Sequence, residues 1–416
     1  MIRSVALALP LSLLVVIPQA QAAKITPQQQ HQYRQAGTAG LDRFLAQYGN
    51  QLKPGQLPTP AMRSALDAIC QQRDCHASKL YWYTDLDQAK AAAKKHGKPI
   101  LSLRLLGNLD EELSCANSRF FRLALYANQA VSTQMREQFI LHWSSERPVP
   151  KVTIDFGNGR KLERTVTGNS IHYVLDAQGR PIEAIPGLYG PQAFANQLTQ
   201  AKQFYQKFQT VPAAQQSQAL RQYHYDRYAK VQQQWATALA AAGIKTPPKL
   251  MDLPNQPPTA SAPSAAMAAP IAMTKMVVES PLVRIMTPAT ANRGRLERVT
   301  DESTWRKLAR RYRNASKLDA NSLMLMRSKL AKQNSSRLRL TARQFERSMA
   351  LDTVRNEYQL HSQLHQWFSE QQNMASFEQL NQRVYSQLFL TPANDPWLGL
   401  SPTGAFAAIE GDGIVR

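Results

Sequence analysis

Ile171-His172-Tyr173-Val174-Leu175-Asp176, then Ala177-Gln178-Gly179-Arg180, then Pro181-Ile182-Glu183-Ala184-Ile185 read in order as a strand, a turn and a second strand. Two apolar runs flank four turn residues, and Gly179 tolerates the positive φ a tight connection needs. Just upstream, residues 152–156 and 162–166 flank Gly157-Asn158-Gly159 and read as another hairpin. Residues 191–204 close the unit with a helix. Working back, residues 79–83 are a short aromatic strand candidate. Thr84 with Asp87 three residues on is an acidic variant of the capping box, and the Ala/Lys-rich run 89–96 is a helix ended by Gly97. Pro99 opens a buried strand over 100–106. Helices over 110–126 and 131–137 and a strand over 139–143 come next. Strand, helix, strand, helix, strand, antiparallel hairpins and a last helix make a mixed sheet covered by helices on both faces.

Particular residues carry a resemblance. Trp82, Asp85-Leu86-Asp87-Gln88-Ala89 and Lys94-Lys95-His96-Gly97-Lys98-Pro99-Ile100 resemble the opening of secreted thioredoxin-like domains. Tyr173 to Gly179 and Ile185-Pro186-Gly187-Leu188-Tyr189 resemble their final hairpin and the turn into the last helix. The resemblance spans residues 80–205, under a third of the chain, and implies an α/β thioredoxin-like domain over 79–206, a mixed sheet flanked by helices. In that family the attacking Cys sits at a helix start, where the dipole and unpaired N–H groups stabilise thiolate. A second Cys three residues on resolves the mixed disulfide. The matching segment here is Cys115-Ala116-Asn117-Ser118, so the two-cysteine motif is lost and Ser118 stands in place of the resolving thiol. The family's cis-proline position falls in Gly168-Asn169-Ser170-Ile171, which has no proline. Leu109 to Ser114 read as extra residues that put Cys115 a turn inside the helix, and Asp110, Glu111 and Glu112 would raise a nearby thiol pKa.

The thiol admits two readings. In one, Cys115 and Ser118 form the catalytic site of a one-thiol thiol-disulfide oxidoreductase, able to form mixed disulfides but not to resolve them alone. In the other, Cys115 is a buried small hydrophobe in a binding or scaffolding protein. His142 and His172 fall on neighbouring strands and with Cys115 would make a Cys–His arrangement, although packed or surface histidines explain them equally simply.

The N-terminus reads as export. Met1-Ile2-Arg3 supplies a positive charge, residues 5–17 are almost wholly apolar, and Ala20-Gln21-Ala22 offers a peptidase site. The apolar run is too short to span about 30 Å of hydrocarbon, so residues 1–22 are a signal peptide, with a retained anchor as the alternative. No later segment is long and apolar enough to span a bilayer, and the expected location is periplasmic or secreted. Export places the three cysteines in an oxidising compartment. Cys70 and Cys75 are expected to form a disulfide, leaving Cys115 as the odd thiol; a bridge from Cys115 to one of them is the alternative.

The chain has 416 residues and a formal charge of +21. That balance favours an anionic envelope component as partner, or an unknown protein, or merely keeps the protein soluble. Nucleic acid is not expected outside the cell. Residues 23–78 read as a helical lead-in carrying the Cys pair, 207–245 as an amphipathic helix, 246–292 as a Pro/Ala-rich linker, and 293–416 as a separate, mostly α-helical basic region. Within it Arg306, Lys307, Arg310, Arg311 and Arg313, with Trp305 and Tyr312 interleaved, are candidate polyanion-binding residues; a solvated helix face is the alternative. The apolar tail around Phe389-Leu390 and Trp397-Leu398-Gly399-Leu400 is expected to pack on a neighbouring surface. Glu357, His361 and His365 share a helix face, but no third strong ligand lies nearby in the sequence, so they read as a polar stripe and no metal is expected. No Walker loop, dinucleotide fingerprint, GxSxG elbow or zinc-ribbon spacing occurs, and no cofactor is expected.

Overall fold

The computed structural model describes residues 25–52, 56–248, 250, 253, 263, 265–268, 271–286, 302–330, 337–370 and 376–400. Residues 1–22, expected from the sequence to be a signal peptide, lie outside the described residues. Among the described residues, no helix is long and apolar enough to cross a membrane.

The chain opens with α1 (Pro27–Gln35), α2 (Gly37–Tyr48), α3 (Pro60–Cys70) and α4 (Cys75–Ser78). Thr26 and Gln29 close a capping box at the start of α1, with Pro27 in the first turn. α1 and α2 approach so closely that a Cβ at Gly40 would lie 1.8 Å from the Tyr33 carbonyl oxygen. Leu41, Phe44, Met62, Leu66 and Ile69 form a small core that includes Cys70 and Cys75. Those two cysteines are bridged, with Cα atoms 6.2 Å apart. Two indoles tie the bridged loop to the α/β segment: Trp82 Nε1 donates to Gln72 Oε1 at 2.7 Å and Trp143 Nε1 to the Gln71 carbonyl at 2.8 Å.

Beyond the loop lies a four-stranded mixed sheet, flanked by α5 (Leu86–His96), α6 (Ala116–Phe120), α7 (Gln129–Gln138), α8 (Pro191–Phe208) and α9 (Ala213–Ala241). Its strands are β1 (Ile100–Leu106), β2 (Ile140–Arg147), β5 (Ile171–Leu175) and β6 (Pro181–Pro186), in the order β2-β1-β5-β6. β1 is parallel to β2 and antiparallel to β5, and β6 is antiparallel to β5. All seven residues of β1 are buried, as a central strand covered on both faces requires. Three details depart from the sequence reading. Residues 79–83 contribute only an isolated bridge between Tyr83 and His142, not a full strand. The hairpin around Gly157-Asn158-Gly159, β3 (Lys151–Asp155) and β4 (Lys161–Thr165), forms its own two-stranded sheet. Asp85 rather than Thr84 caps α5, accepting from the Gln88 N–H at 2.9 Å.

The C-terminal helices are α10 (Ala265–Ala268), α11 (Met273–Met286), α12 (Glu302–Ala309), α13 (Ala320–Lys329), α14 (Leu338–Arg355), α15 (Ser362–Glu370) and α16 (Phe377–Arg383). A π-helical turn, Asn356–His361, joins α14 to α15, and another, Val384–Leu388, extends α16. These helices are not separate from the sheet. Leu364, Trp367, Phe368, Leu380, Val384 and Leu388 lie in the same buried cluster as Leu103, Ile171 and Tyr173. The stretch expected as a linker contains α11, whose Met273, Thr274, Lys275 and Glu279 are buried. The Asp352 carboxylate caps its start by accepting from the Met273 and Thr274 N–H groups. The tail packs as its apolar sequence requires: Phe389, Leu390, Leu398 and Leu400 are buried, and Arg147 donates to the carbonyls of Pro392 and Asp395.

The disulfide closes a loop between residues five apart, for which chain entropy gives a stabilisation of about 2 kcal/mol. Replacing both cysteines by serine should lower the urea unfolding free energy by about that amount. An unchanged midpoint would show that the bridge only staples an already rigid loop.

Candidate functional sites

Residues 108–114 are turns rather than the start of a helix, so Cys115 sits at the N-cap of α6 and not a turn inside it. Its N–H donates to the Leu106 carbonyl at 3.1 Å. The Sγ lies 3.0 Å from Ser170 Oγ and donates to Ser118 Oγ at 3.4 Å. Ser118 Oγ in turn lies 2.7 Å from Ser114 Oγ. The structure therefore brings Cys115, Ser118 and the 168–170 turn together in space.

The site is closed. Cys115 is 0% exposed. Thr167 and Gly168 both take positive φ, and a Cβ on Gly168 would stand 3.1 Å from Cys115 Cβ and 3.2 Å from Leu106. C-terminal elements lock this turn from above. Tyr385 donates its hydroxyl to the Asn169 carbonyl at 3.1 Å, and Glu279 of α11 accepts the Thr167 N–H at 2.9 Å. Glu279 pairs with Lys275 at 3.8 Å, and burial pushes its carboxyl up to about 7. Of the acidic run, Glu111 accepts from Asn108 Nδ2 at 2.8 Å. Glu112 turns onto Arg73 and Lys329; burial opposes its charge, but these cations outweigh that and hold it near 2. The buried Arg122 donates to the carbonyls of Leu109, Glu111 and Glu112 and so shapes the turns before Cys115. Sequence reading passed over Arg122, because an Arg inside a helical run carries no mark of burial.

His142 and His172 do not join Cys115. They pair with Ser102 and Leu103, successive residues of β1, and so face opposite sides of the sheet. His142 Nδ1 lies 2.8 Å from Ser102 Oγ, and His172 Nε2 lies 2.7 Å from the Tyr126 hydroxyl. Burial lowers the first to about 4 and the second to about 3, so both are neutral.

A second constellation lies where α9 and α15 cover β6. The Glu357/His361/His365 stripe is buried, and it meets Glu183 and His224, 178 and 141 residues from His361 and His365. His361 Nε2 lies 3.1 Å from Glu183 Oε1, and its Nδ1 lies 3.6 Å from Glu357 Oε2. His224 Nδ1 faces His365 Nδ1 at 2.9 Å, and His365 Nδ1 lies 3.9 Å from Glu183 Oε1. Glu183 Oε2 accepts from the Tyr223 hydroxyl at 2.9 Å. Burial works against the Glu183 charge, but the surrounding histidines outweigh it and hold the carboxyl well below its usual range. Burial likewise opposes protonation of His361, yet Glu183 and Glu357 raise it. His224 is driven to about 4 by burial, and His365 falls well below its usual value through burial and the neighbouring His361. The cluster thus gathers two carboxylates, Glu183 and Glu357, and three imidazoles.

Arg306, Lys307, Arg310, Arg311 and Arg313 are all exposed, on α12 and the turn after it. The interleaved aromatics turn inward: Trp305 is buried against Trp235, and Tyr312 bonds the Tyr358 hydroxyl. They are core, not stacking platforms.

Gly168→Ala should cost roughly 2–3 kcal/mol, from the positive φ together with the contact on Cys115 and Leu106. Gly157→Ala has positive φ but meets nothing within 4 Å, and should cost only about 1 kcal/mol. Equal losses in urea titrations would show that the Cys115 turn is not tightly packed. None of the protein-family models, curated proteins or solved structures compared with the chain matches it.

Proposed function

We propose that this chain is an exported, thioredoxin-like protein of the cell envelope whose redox motif is degenerate, and that it works by binding or scaffolding rather than by thiol chemistry. The sheet order β2-β1-β5-β6, with β5 antiparallel to its neighbours, supports the thioredoxin-like assignment. The observation that carries the functional reading is the sealed thiol. Cys115 has the helix-start position of an attacking cysteine, which is the feature favouring the competing one-thiol enzyme. It lacks the other two requirements. No solvent reaches it, and the two remaining cysteines are bonded to each other, so neither can resolve a mixed disulfide.

The purified protein should therefore fail to reduce insulin. Iodoacetamide should modify Cys115 only after denaturation, and Cys115→Ser should cost on the order of 1 kcal/mol of stability. Rapid alkylation of the native protein, with insulin reduction abolished by Cys115→Ser, would overturn the binder and establish the one-thiol enzyme.

The partner proposed is an anionic envelope surface, met by Lys307, Arg310, Arg311 and Arg313 beside Arg306. Each basic side chain near such a surface contributes about 1 kcal/mol, screened by salt. Co-sedimentation with phosphatidylglycerol vesicles should weaken at least roughly tenfold in a Lys307→Glu/Arg310→Glu/Arg313→Glu variant. Binding that ignores both these changes and added salt would rule the face out.

A further inference from the structure

We propose that Glu183, His224 and His365 form a binding site for one divalent transition-metal ion of the zinc class, clamping α9 and α15 to β6. The donor set is one carboxylate oxygen and two imidazole nitrogens, which suits zinc. The three ligand atoms lie within 4.8 Å of one another and all three residues are buried. Ligands at about 2.0–2.1 Å from a tetrahedral ion stand roughly 3.3 Å apart. The contacts here bracket that spacing, with Nδ1 to Nδ1 at 2.9 Å and Nδ1 to Oε1 at 3.9 Å.

The surroundings point to the same ion independently of the donor count. A metal-bound imidazole characteristically donates its other N–H to a carbonyl or carboxylate. His224 Nε2 lies 3.0 Å from the Ile182 carbonyl, which places its proton there and turns the bare Nδ1 lone pair into the centre. Glu183 is held from outside by the Tyr223 hydroxyl and the Ala184 N–H. The His224 ring is fixed by stacking on Phe368 at 4.1 Å, and that of His365 by stacking on His361 at 4.1 Å. His365 Nε2 has no protein partner among the described residues, so of the two imidazoles only His224 carries that outer hydrogen bond. His361, paired with Glu183 at 3.1 Å and with Glu357, stands as the outer partner rather than a ligand.

A site this buried is loaded as the chain folds, so the test uses full-length protein expressed in zinc-supplemented medium. Elemental analysis of the purified wild type should find one zinc per chain. X-ray absorption at the zinc edge should show two imidazoles at about 2.0–2.1 Å and no sulfur. Glu183→Gln and His365→Gln should each lower zinc content at least roughly tenfold, while His31→Ala and His96→Ala, exposed and distant, should leave it unchanged. If the core variants fail to fold, the absorption spectrum of the wild type decides alone. Wild-type protein without zinc, a first shell lacking imidazole, or full zinc content in folded Glu183→Gln would each overturn the site.

Discussion

A carboxylate buried at the outer strand of the sheet dictates how the two halves of this chain meet. Glu183 is 1% exposed on β6. Burying an unpaired carboxylate costs several kcal/mol, so the charge persists only where partners surround it. Those partners are Tyr223 from α9 and His361 from the turn between α14 and α15. Each helix is thereby bound to the sheet in one register, and removing either leaves the buried charge with fewer partners. Arg104 repeats the logic on β1. The residue is 8% exposed, and its guanidinium pairs with Glu146 of β2 and Glu378 of α16 and lies 4.5 Å over the Phe377 ring.

The consequence is a shared interior. Leu364, Trp367 and Leu388 pack in one cluster with the sheet residues Leu103 and Tyr173, so the helical half completes the core of the α/β half. The same packing closes over the thiol. Tyr385 and Glu279 hold the turn over Cys115 by backbone hydrogen bonds, and both come from segments more than 100 residues downstream. A thiol so enclosed contributes packing.

α14 and α15 are joined at this cluster by a π turn. Asn356 to His361 widen the helix locally, and such turns recur where side chains are aimed at a site. Here the turn carries Glu357 and His361 towards Glu183, while His365, one α turn later, reaches His224. Asn356 itself donates to the Leu188 carbonyl at 2.8 Å, pinning the turn to the chain just after β6.

Local signals in the sequence determined much of the α/β half. The hairpin at Gly179, the buried run of β1, the helix end at Gly97 and the near neighbours Cys70 and Cys75 are all short-range features, and all are present. Residues 79–83 had the aromatic composition of a strand, yet pairing needs a partner and only Tyr83 finds one. The Pro/Ala composition of 246–292 suggested a linker, but composition does not record that Asp352, far downstream, caps α11 and that its face is buried. Glu357, His361 and His365 were visible as one helix face, and nothing local distinguishes a face turned to water from one turned to Glu183 and His224. Burial and the meeting of side chains 141 and 178 residues apart belong to tertiary structure alone. They depend on which surfaces the whole chain brings together, and no window of sequence contains that information.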